Sequence, residues 1–587
     1  MSGLPETLPA IVAALQAGRA GEASAALAAL LDREPENGEG WALAGFLRLQ
    51  EGTSAEAAAL LDRALRFRPG QWMAHLHRAA AREALGELAA AASDYARAAE
   101  LNPQPEFRVR QASLLARLGD RAGERNALEA ALRIDPVSVP ALNNLGLHWE
   151  SAGDEAAALA CFERAARAAA NLPGSAEVAE NLERLLFEKG KRLAVADSEA
   201  AILFYQAEIA RHPEYGGLQT GLGNLWLDRC EIGRAEAAFR AALERRPSDP
   251  DACINYGIAL YRLGRPAEAL RFYERAEALA GDEAKPELRW NRSLSLLALG
   301  RLREGFCDYE ARAHLGVGRE LPIPRWDGRP FPGQRLLLVT EQGFGDAIQF
   351  IRYAAWAKER GGTVTVACDP PLQRLFARVS GIDAVIGPEG LPGNYDWQIP
   401  LLSLPHLAGT ELATIPPSTF GVSPSIREPG TPFRVGLVWS GNPKYRNDRN
   451  RSCPIELFDA LRDLPDLRWI GLQHGEAAQE IPQSPRFRDL SPRLVDFEET
   501  AVCLGEVDLL ISVDTATAHL AGALGRPVWI LLPFASDWRW MRERDDSPWH
   551  PSARLFRQRT EGDWAEVVAR VGDALRVLLA ERKTEAD

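Results

Sequence analysis

Apolar positions in the first half of the chain recur at helical spacing, and no run alternates strictly enough to make a strand. The pattern predicts consecutive amphipathic helices rich in Ala, Leu, Arg and Glu. It also repeats. Pro69 and Pro103 stand 34 residues apart, as do Pro213 and Pro247. One unit reads Trp41, Gly45, Ala57, Leu61, Ala64 and Pro69. A second reads Leu222, Gly223, Trp226, Ala235, Phe239, Ala242 and Pro247, and a third Tyr256, Gly257, Gly264, Ala269, Tyr273 and Ala276. The spacing assigns each position a task. A small residue such as Gly45 or Gly257 lets the first helix of a unit approach the second. An aromatic such as Phe239 or Tyr273 fills the gap between units, and the proline stops the second helix. Each hairpin leaves an apolar face that only a neighbouring unit can bury, so the units stack.

This periodicity resembles the tetratricopeptide repeat (TPR), and implies about seven to eight units between residues 5 and 315. The first unit is poor, and the stretch 173–191 breaks phase. The last unit, 290–312 with Asp308, Tyr309 and Glu310, is placed to dock on the domain C-terminal to it. From Leu321 the pattern changes. Pro322, Pro324, Pro330 and Pro332 form a linker around Trp326-Asp327-Gly328. Short apolar runs then alternate with helical stretches: strands at 335–340, 363–368 and 396–400, with a helix over 347–360. A second series of strands lies at 434–439, 468–473, 507–513 and 527–532. Such alternation predicts parallel sheets with ligand sites at the carboxyl ends of the strands. The Pro, Ser and Gly-rich stretch 415–432 separates two Rossmann-like lobes with a cleft between them.

Composition narrows the functional classes. A net charge of −13 argues against broad nucleic-acid binding, which needs a basic footprint. No apolar run is long enough to span a bilayer, and Met1 to Glu6 lack the basic and apolar regions of a secretory signal. The seven cysteines are scattered and never spaced as CxxC. A soluble, cytoplasmic protein is expected, with no membrane insertion and no nucleic-acid partner.

Three segments carry the candidate chemistry. The first is Ser512-Val513-Asp514-Thr515-Ala516-Thr517-Ala518-His519, where an apolar strand ends and a helix begins. Thr515 and Thr517 are placed to cap that helix, and Gly525 and Pro527 to stop it. Free N–H groups and the positive end of the helix dipole suit a phosphate or diphosphate. His519 shares the helical face of Thr515. The second is Glu341-Gln342-Gly343-Phe344-Gly345-Asp346-Ala347-Ile348-Gln349, again directly after a strand. Gly343 and Gly345 allow close approach of a ligand. A carboxylate such as Asp346 takes the proton of an attacking hydroxyl, and aspartate is also a favoured helix N-cap, so both roles stand open. Gln342 and Gln349 are candidates for contacts to acceptor or sugar hydroxyls. The third is 439–452, where Lys444, Arg446, Arg449 and Arg451 gather at a strand end in an otherwise acidic chain. Arginine offers a fork and lysine a point charge to a phosphate or carboxylate. Gln473 and His474 are weaker candidates for a nucleotide base, and Asp537 and Arg539 for the cleft. Trp538, Trp540 and Trp549 stack on a base or sugar or pack the lobes together, with packing favoured.

The 512–519 segment resembles the donor loop of lipopolysaccharide heptosyltransferases (glycosyltransferase family nine), written D-T-G-x-x-H, with Ala516 here in the glycine position. The 341–346 segment is similar to their G-x-G-D loop. With the helical repeats, these segments resemble bacterial TPR-fused transferases, including those that modify flagellin with nonulosonic acids such as pseudaminic acid. The resemblance implies an all-α TPR solenoid over 5–315, a linker over 316–334, and an α/β GT-B domain with two Rossmann-like lobes, 335–415 and 433–580. It implies Asp346 as catalytic base, with Gln342, Gly343, Gly345 and Gln349 toward acceptor or sugar. Lys444, Arg451, Asp514, Thr515, Ala516 and His519 would bind the donor. The donor would be a nucleotide-sugar, specifically a CMP-nonulosonic acid, and the protein acceptor flagellin, held by the TPR domain. Transfer would be inverting and metal-independent, with no cofactor, since no D-x-D motif stands in a strand-end loop. The alternative is a non-catalytic TPR adaptor with a degenerate nucleotide-sugar-binding domain.

Overall fold

The computed structural model describes residues 7–169, 175–281, 285–317, 321–388, 394–418, 420, 431–444, 448–462, 464–482 and 484–586. The chain divides into two units, Met1–Leu218 and Gln219–Asp587. The first is all helical. Its helices come in successive pairs: Leu8–Gln16 and Ala20–Arg33, Gly38–Gln50 and Ser54–Phe67, Trp72–Ala84 and Leu88–Leu101, Pro105–Arg117 and Arg121–Ile134, Val139–Ser151 and Glu155–Ala169, and Ser175–Ala196 and Ser198–Arg211. Several second helices end two residues short of a proline: Phe67 before Pro69, Leu101 before Pro103, Ile134 before Pro136 and Arg211 before Pro213. The phase break predicted at 173–191 corresponds to one long helix of 22 residues, Ser175–Ala196, while Pro173 itself lies outside the described residues.

The same pairing opens the second unit, with Gly216–Asp228 (which begins at the boundary) and Ile232–Arg245, Pro250–Arg262 and Pro266–Ala280, and Pro286–Ala298 and Leu302–Tyr309. The described residues therefore hold nine helix pairs, more than the seven to eight expected. The aromatic position has a partner within its own unit: a Cβ on Gly223 would sit 2.6 Å from the Phe239 ring, so the ring packs onto the first helix of its pair. Phe162 on Gly146 and Tyr273 on Gly257 repeat the arrangement. Glycine is needed there because a ring lies where a side chain would begin.

After these helices come two all-parallel sheets. The first contains β1 (Arg335–Val339), β2 (Thr363–Ala367), β3 (Ala384–Ile386) and β4 (Trp397–Pro400), in the order β3-β2-β1-β4. The second contains β5 (Phe433–Val438), β6 (Leu467–Gly471), β7 (Phe487–Asp489), β8 (Leu509–Val513), β9 (Val528–Leu532) and β10 (Ala553–Arg557), in the order β10-β9-β8-β5-β6-β7. Strands β8 and β9 are buried along their whole length, as parallel strands covered on both faces must be. Both orders reverse direction at a central strand: next to β1 in the first sheet and between β5 and β8 in the second. At such a switch point adjacent connections leave in opposite directions and open a crevice beyond the strand ends. The loops after β1, β5 and β8 are the three segments singled out from the sequence.

The helix expected over 347–360 begins earlier and is broken. It runs Phe344–Phe350, passes through a tighter turn at Ile351–Tyr353 and resumes at Ala354–Lys358. Trp326 of the proline-rich linker is buried against Phe331 and Trp356. Of the 415–432 stretch, 419 and 421–430 lie outside the described residues; Pro416 accepts from Arg352, and Phe420 stacks on Phe376. No helix among the described residues is long and apolar enough to cross a membrane.

Phe162 is fully buried. Phe162→Ala should therefore lower the stability of its helical unit by ~3–5 kcal/mol, read as a shift of the urea midpoint of the helical signal. A midpoint change within error would show that the glycine-aromatic contact does not hold the pair together.

Candidate functional site

The junctions after β1 and β8 meet. A Cβ on Gly345 would sit 2.9 Å from His519 Cδ2 and 3.6 Å from the Ala516 Cα, so the two helix beginnings touch through a residue without a side chain. Gly343, not Asp346, is the N-cap of the Phe344–Phe350 helix. Asp346 is its third residue and accepts from the Gly343 N–H (3.0 Å). Its other carboxylate oxygen takes a hydrogen bond from Arg539 of the second lobe. Arg539 is buried, donates also to Asp537 (2.8 Å), and lies over the Trp538 ring at 4.3 Å. Burial works against its charge, but Asp346 and Asp537 outweigh it and hold the guanidinium well above its ordinary range. Asp346 thus bridges the lobes, held by the Gly343 N–H on one side and by Arg539 on the other.

On the opposite side, Thr515 caps the Ala516–Ala523 helix, accepting from the Ala518 N–H at 3.4 Å and lying 3.0 Å from the Ser512 hydroxyl. Thr517 is a buried residue inside the helix and not a cap. The helix ends as expected: Gly525 takes a positive φ, and Arg526 donates to the Ala521 carbonyl. Asp514 lies with one oxygen 3.6 Å from His519 Nε2. Burial acts to raise the Asp514 carboxyl, yet His519, the Trp540 indole and the charge of Arg451 hold it below the usual aspartate range. His519 is buried, stacked on Trp540 (5.0 Å between centroids) with Nδ1 3.1 Å from His550 Nε2. No sequence signal marked His550, which is 31 residues from its partner.

The basic segment divides. Arg451 donates to Asp448 (2.9 Å) and lies beside Gly441. Lys444 is exposed, its N–H on the Asn442 side chain at 3.0 Å, while Arg446 falls outside the described residues. Arg449 turns elsewhere, donating to the Arg229 carbonyl in the turn that follows the Gly216–Asp228 helix. Gln473 is not free for a base: its oxygen accepts from the Trp439 and Ser440 N–H groups, bracing this loop, and His474 is exposed. Trp538, Trp540 and Trp549 are buried; Trp538 and Trp549 pack with Phe306 and Phe350, and Trp540 covers His519.

The two glutamines separate as well. Gln349 is fully buried, and neither end of its amide meets a hydrogen-bonding partner among the described residues, so it does not line the opening. Gln342 is exposed and left-handed (φ 62°), with its amide 3.1 and 3.2 Å from the Tyr309 hydroxyl. That conformation costs a non-glycine residue roughly 1–2 kcal/mol and persists because its surroundings fix it. Beside it, buried Arg312 pairs with buried Glu341 at 2.6 Å and donates to Ser403. Tyr309 ends the last helix pair and Arg312 lies just beyond it, so this pair forms a wall of the site. A cleft of about 210 Å³ opens at the ends of β1 and β2, lined by Thr340 to Phe344, Cys368, Asp369 and Leu372 among others.

With this geometry in view, the chain can be set beside known proteins. The family model of the tetratricopeptide repeat matches residues 8–71, 109–173 and 220–284. This is a TPR-containing protein. Protein FlbA of Caulobacter vibrioides is 29% identical over 508 residues, covering 78% of this chain and 82% of FlbA. That stretch is longer than the repeat helices, so the likeness extends into the α/β region. Superkiller protein 3 of Schizosaccharomyces pombe is 30% identical over 159 residues, 27% of this chain and 11% of that protein. Among solved structures, the crystal structure of MamA superposes with a TM-score of 0.26 at 21% identity, covering 27% of this chain and 93% of MamA.

Two outcomes test the geometry. Gly345→Ala should displace the His519 ring and lower stability by ~1–3 kcal/mol in urea titrations, since the new methyl meets a ring that is itself boxed in. The depressed Asp514 carboxyl adds stability that is present above about pH 4 and is lost as pH falls through its folded value. Asp514→Asn should therefore flatten the acid limb of a stability-versus-pH curve; an unaltered limb would remove Asp514 as its source.

Proposed function

We propose that the α/β region is a GT-B glycosyltransferase that moves a sugar from a nucleotide-sugar donor to Ser or Thr hydroxyls of a protein held by the TPR helices. The observation that carries this reading is the meeting of two strand-to-helix junctions, each at the switch point of a parallel sheet, with Asp346 on one and Asp514 and His519 on the other. Ligands of open parallel sheets bind at such points. In this reading the donor phosphate lies at the Ala516–Ala523 helix start, with Arg451 and Lys444 toward its charge. The acceptor hydroxyl enters from the cleft beside Gln342 and Gly343. Its oxygen attacks the anomeric carbon with inversion, the bond from that carbon to the phosphate oxygen breaks, and the phosphate keeps the electron pair. Asp346 takes the hydroxyl proton. Backbone N–H groups and cations stabilise the departing phosphate as its charge develops. No cofactor is needed.

The finer assignment rests on the resemblance of the motifs. The acceptor we propose is flagellin, the donor a CMP-activated nonulosonic acid such as pseudaminic acid, and the compartment the cytoplasm. The likeness to FlbA over most of both chains supports one common architecture for the two.

One observation favours a second reading. Both Asp346 oxygens are engaged, by Arg539 and by the Gly343 N–H, which suits a structural tie as well as a base. A non-catalytic TPR adaptor that binds the nucleotide-sugar without turnover would keep that tie. Intact-mass analysis of co-expressed flagellin separates the readings. The parent chain should add sugar, and Asp346→Asn should reduce incorporation by about 10²–10⁴-fold. Full incorporation by the variant would remove Asp346 from the chemistry, and none with the parent chain would favour the adaptor.

A further inference from the structure

The cleft at the carboxyl ends of β1 and β2 is mostly apolar, lined by Val339, Ala347, Ala367 and Leu372, with Phe344 38% exposed at its wall. No Lys, Arg or His stands among the described residues that line it, so it holds no cation for a phosphate or a sugar carboxylate. Its polar side chains are mostly committed elsewhere. Thr340 donates to the Ala367 carbonyl (3.2 Å), Glu341 is tied to buried Arg312, and the Gln342 amide meets the Tyr309 hydroxyl. Burial, with the charge of Asp369 beside it, pushes the Cys368 thiol up to about 12, so the thiol stays neutral. Asp369 is the exception. It is exposed, and its carboxylate takes no hydrogen bond or ion pair from the described residues. Nor does it cap the Pro370–Phe376 helix that it opens. The next two residues are prolines without an N–H, and the N–H of Leu372 goes to the Asp369 backbone carbonyl (3.0 Å).

An apolar recess with one uncommitted carboxylate suits a side chain that is apolar along its stem and positive at its end. We infer that the cleft takes a lysine or arginine of the acceptor polypeptide, its stem against the apolar lining and its charged end at Asp369, and so selects Ser or Thr hydroxyls that adjoin a basic residue. A purely apolar side chain would fill the recess but leave the carboxylate without a partner, and an acidic one would be repelled by it. The same lining keeps the two substrates apart. The anionic donor goes to the junction with Arg451 and Lys444, and the cationic segment to this cleft. That the occupant belongs to the acceptor rests on the transferase reading; that it is a cation rests on the lining alone.

Binding is read without any turnover. Blocked tripeptides Lys-Ser-Lys, norleucine-Ser-norleucine and Glu-Ser-Glu are titrated into the full chain and followed through the methyl signals of Ala367 and Leu372. Norleucine matches the lysine stem without its charge. The lysine peptide should shift both signals and bind about fivefold tighter than the norleucine peptide, with the glutamate peptide weakest. The chain as a whole is negative and would favour a cation anywhere, so the titrations are run at about 0.15 M salt, where distant charges are screened. The deciding variant is Asp369→Asn, which disturbs no hydrogen bond among the described residues and should remove most of the difference between the lysine and norleucine peptides. Equal affinity of those two peptides in the parent chain, a lysine preference undiminished by Asp369→Asn, or binding that leaves both methyl signals unmoved would each overturn the proposal. In the incorporation assay the modified sites should adjoin lysine or arginine. Asp369→Lys should lower their occupancy severalfold, with recovery when the adjoining basic residue of the acceptor is changed to glutamate. Modified sites without a basic neighbour would overturn the proposal and leave transfer standing. No transfer at all would count against the transferase reading and leave the peptide titrations to decide what the cleft takes.

Discussion

The contact of Gly345 with His519 and Ala516 is the constraint on which the site depends. Two helices can begin against one another only where at least one of them lacks a side chain at the crossing. Glycine at 345 supplies that, and the surrounding residues then take up fixed stations. Arg539 reaches Asp346 from the other lobe, and Asp514 and His519 lie on the facing junction. Elsewhere the lobes are tied by exposed ion pairs, such as Arg374 with Asp496 and Glu499 and Arg378 with Glu498. Exposed pairs of this kind contribute about 0–1 kcal/mol each, so they guide alignment more than they hold it.

The buried charges answer a different need. Arg312 with Glu341 and Arg539 with Asp346 remove ions from water, and such pairs seldom add net stability over apolar packing. Instead they leave few alternatives: moving either partner away strands a charge in the interior. Both pairs end on the segment from the close of β1 into the Phe344–Phe350 helix. Tyr309 holds the left-handed Gln342 of the same segment. The final helix pair of the repeat region is thus physically part of the α/β unit, and the residues at and just beyond the end of its second helix determine the conformation of the segment bearing Asp346.

Much of this is legible in the chain. The repeat period locates the helices, and five- to six-residue apolar runs locate the interior strands β1, β5, β6, β8 and β9. Strands β3, β7 and β10 give no such signal because their side chains are partly exposed and leave no continuous apolar run. The start of the 344–350 helix is hidden because Phe344-Gly345 reads as loop; its N-terminus is satisfied by Asp346 reaching back to Gly343, a bond between residues whose local pattern suits a turn equally well. Gln349 and Gln473 look available as polar residues near the motifs, but one faces the interior and the other braces a backbone.

The sequence by itself determined what local spacing can encode: paired helices closed by proline, parallel strands, and polar residues at strand ends where chains change direction. Those features depend on neighbours a few positions away, so a single stretch is enough to specify them. The tertiary structure alone decided which of those residues share a space. Arg539 finds Asp346 across 193 positions, His550 finds His519 across 31, and Phe162 lies on the glycine of its own unit. Such pairings follow from how whole surfaces pack and which buried charge or ring has no other place to go, and no periodicity along the chain records that.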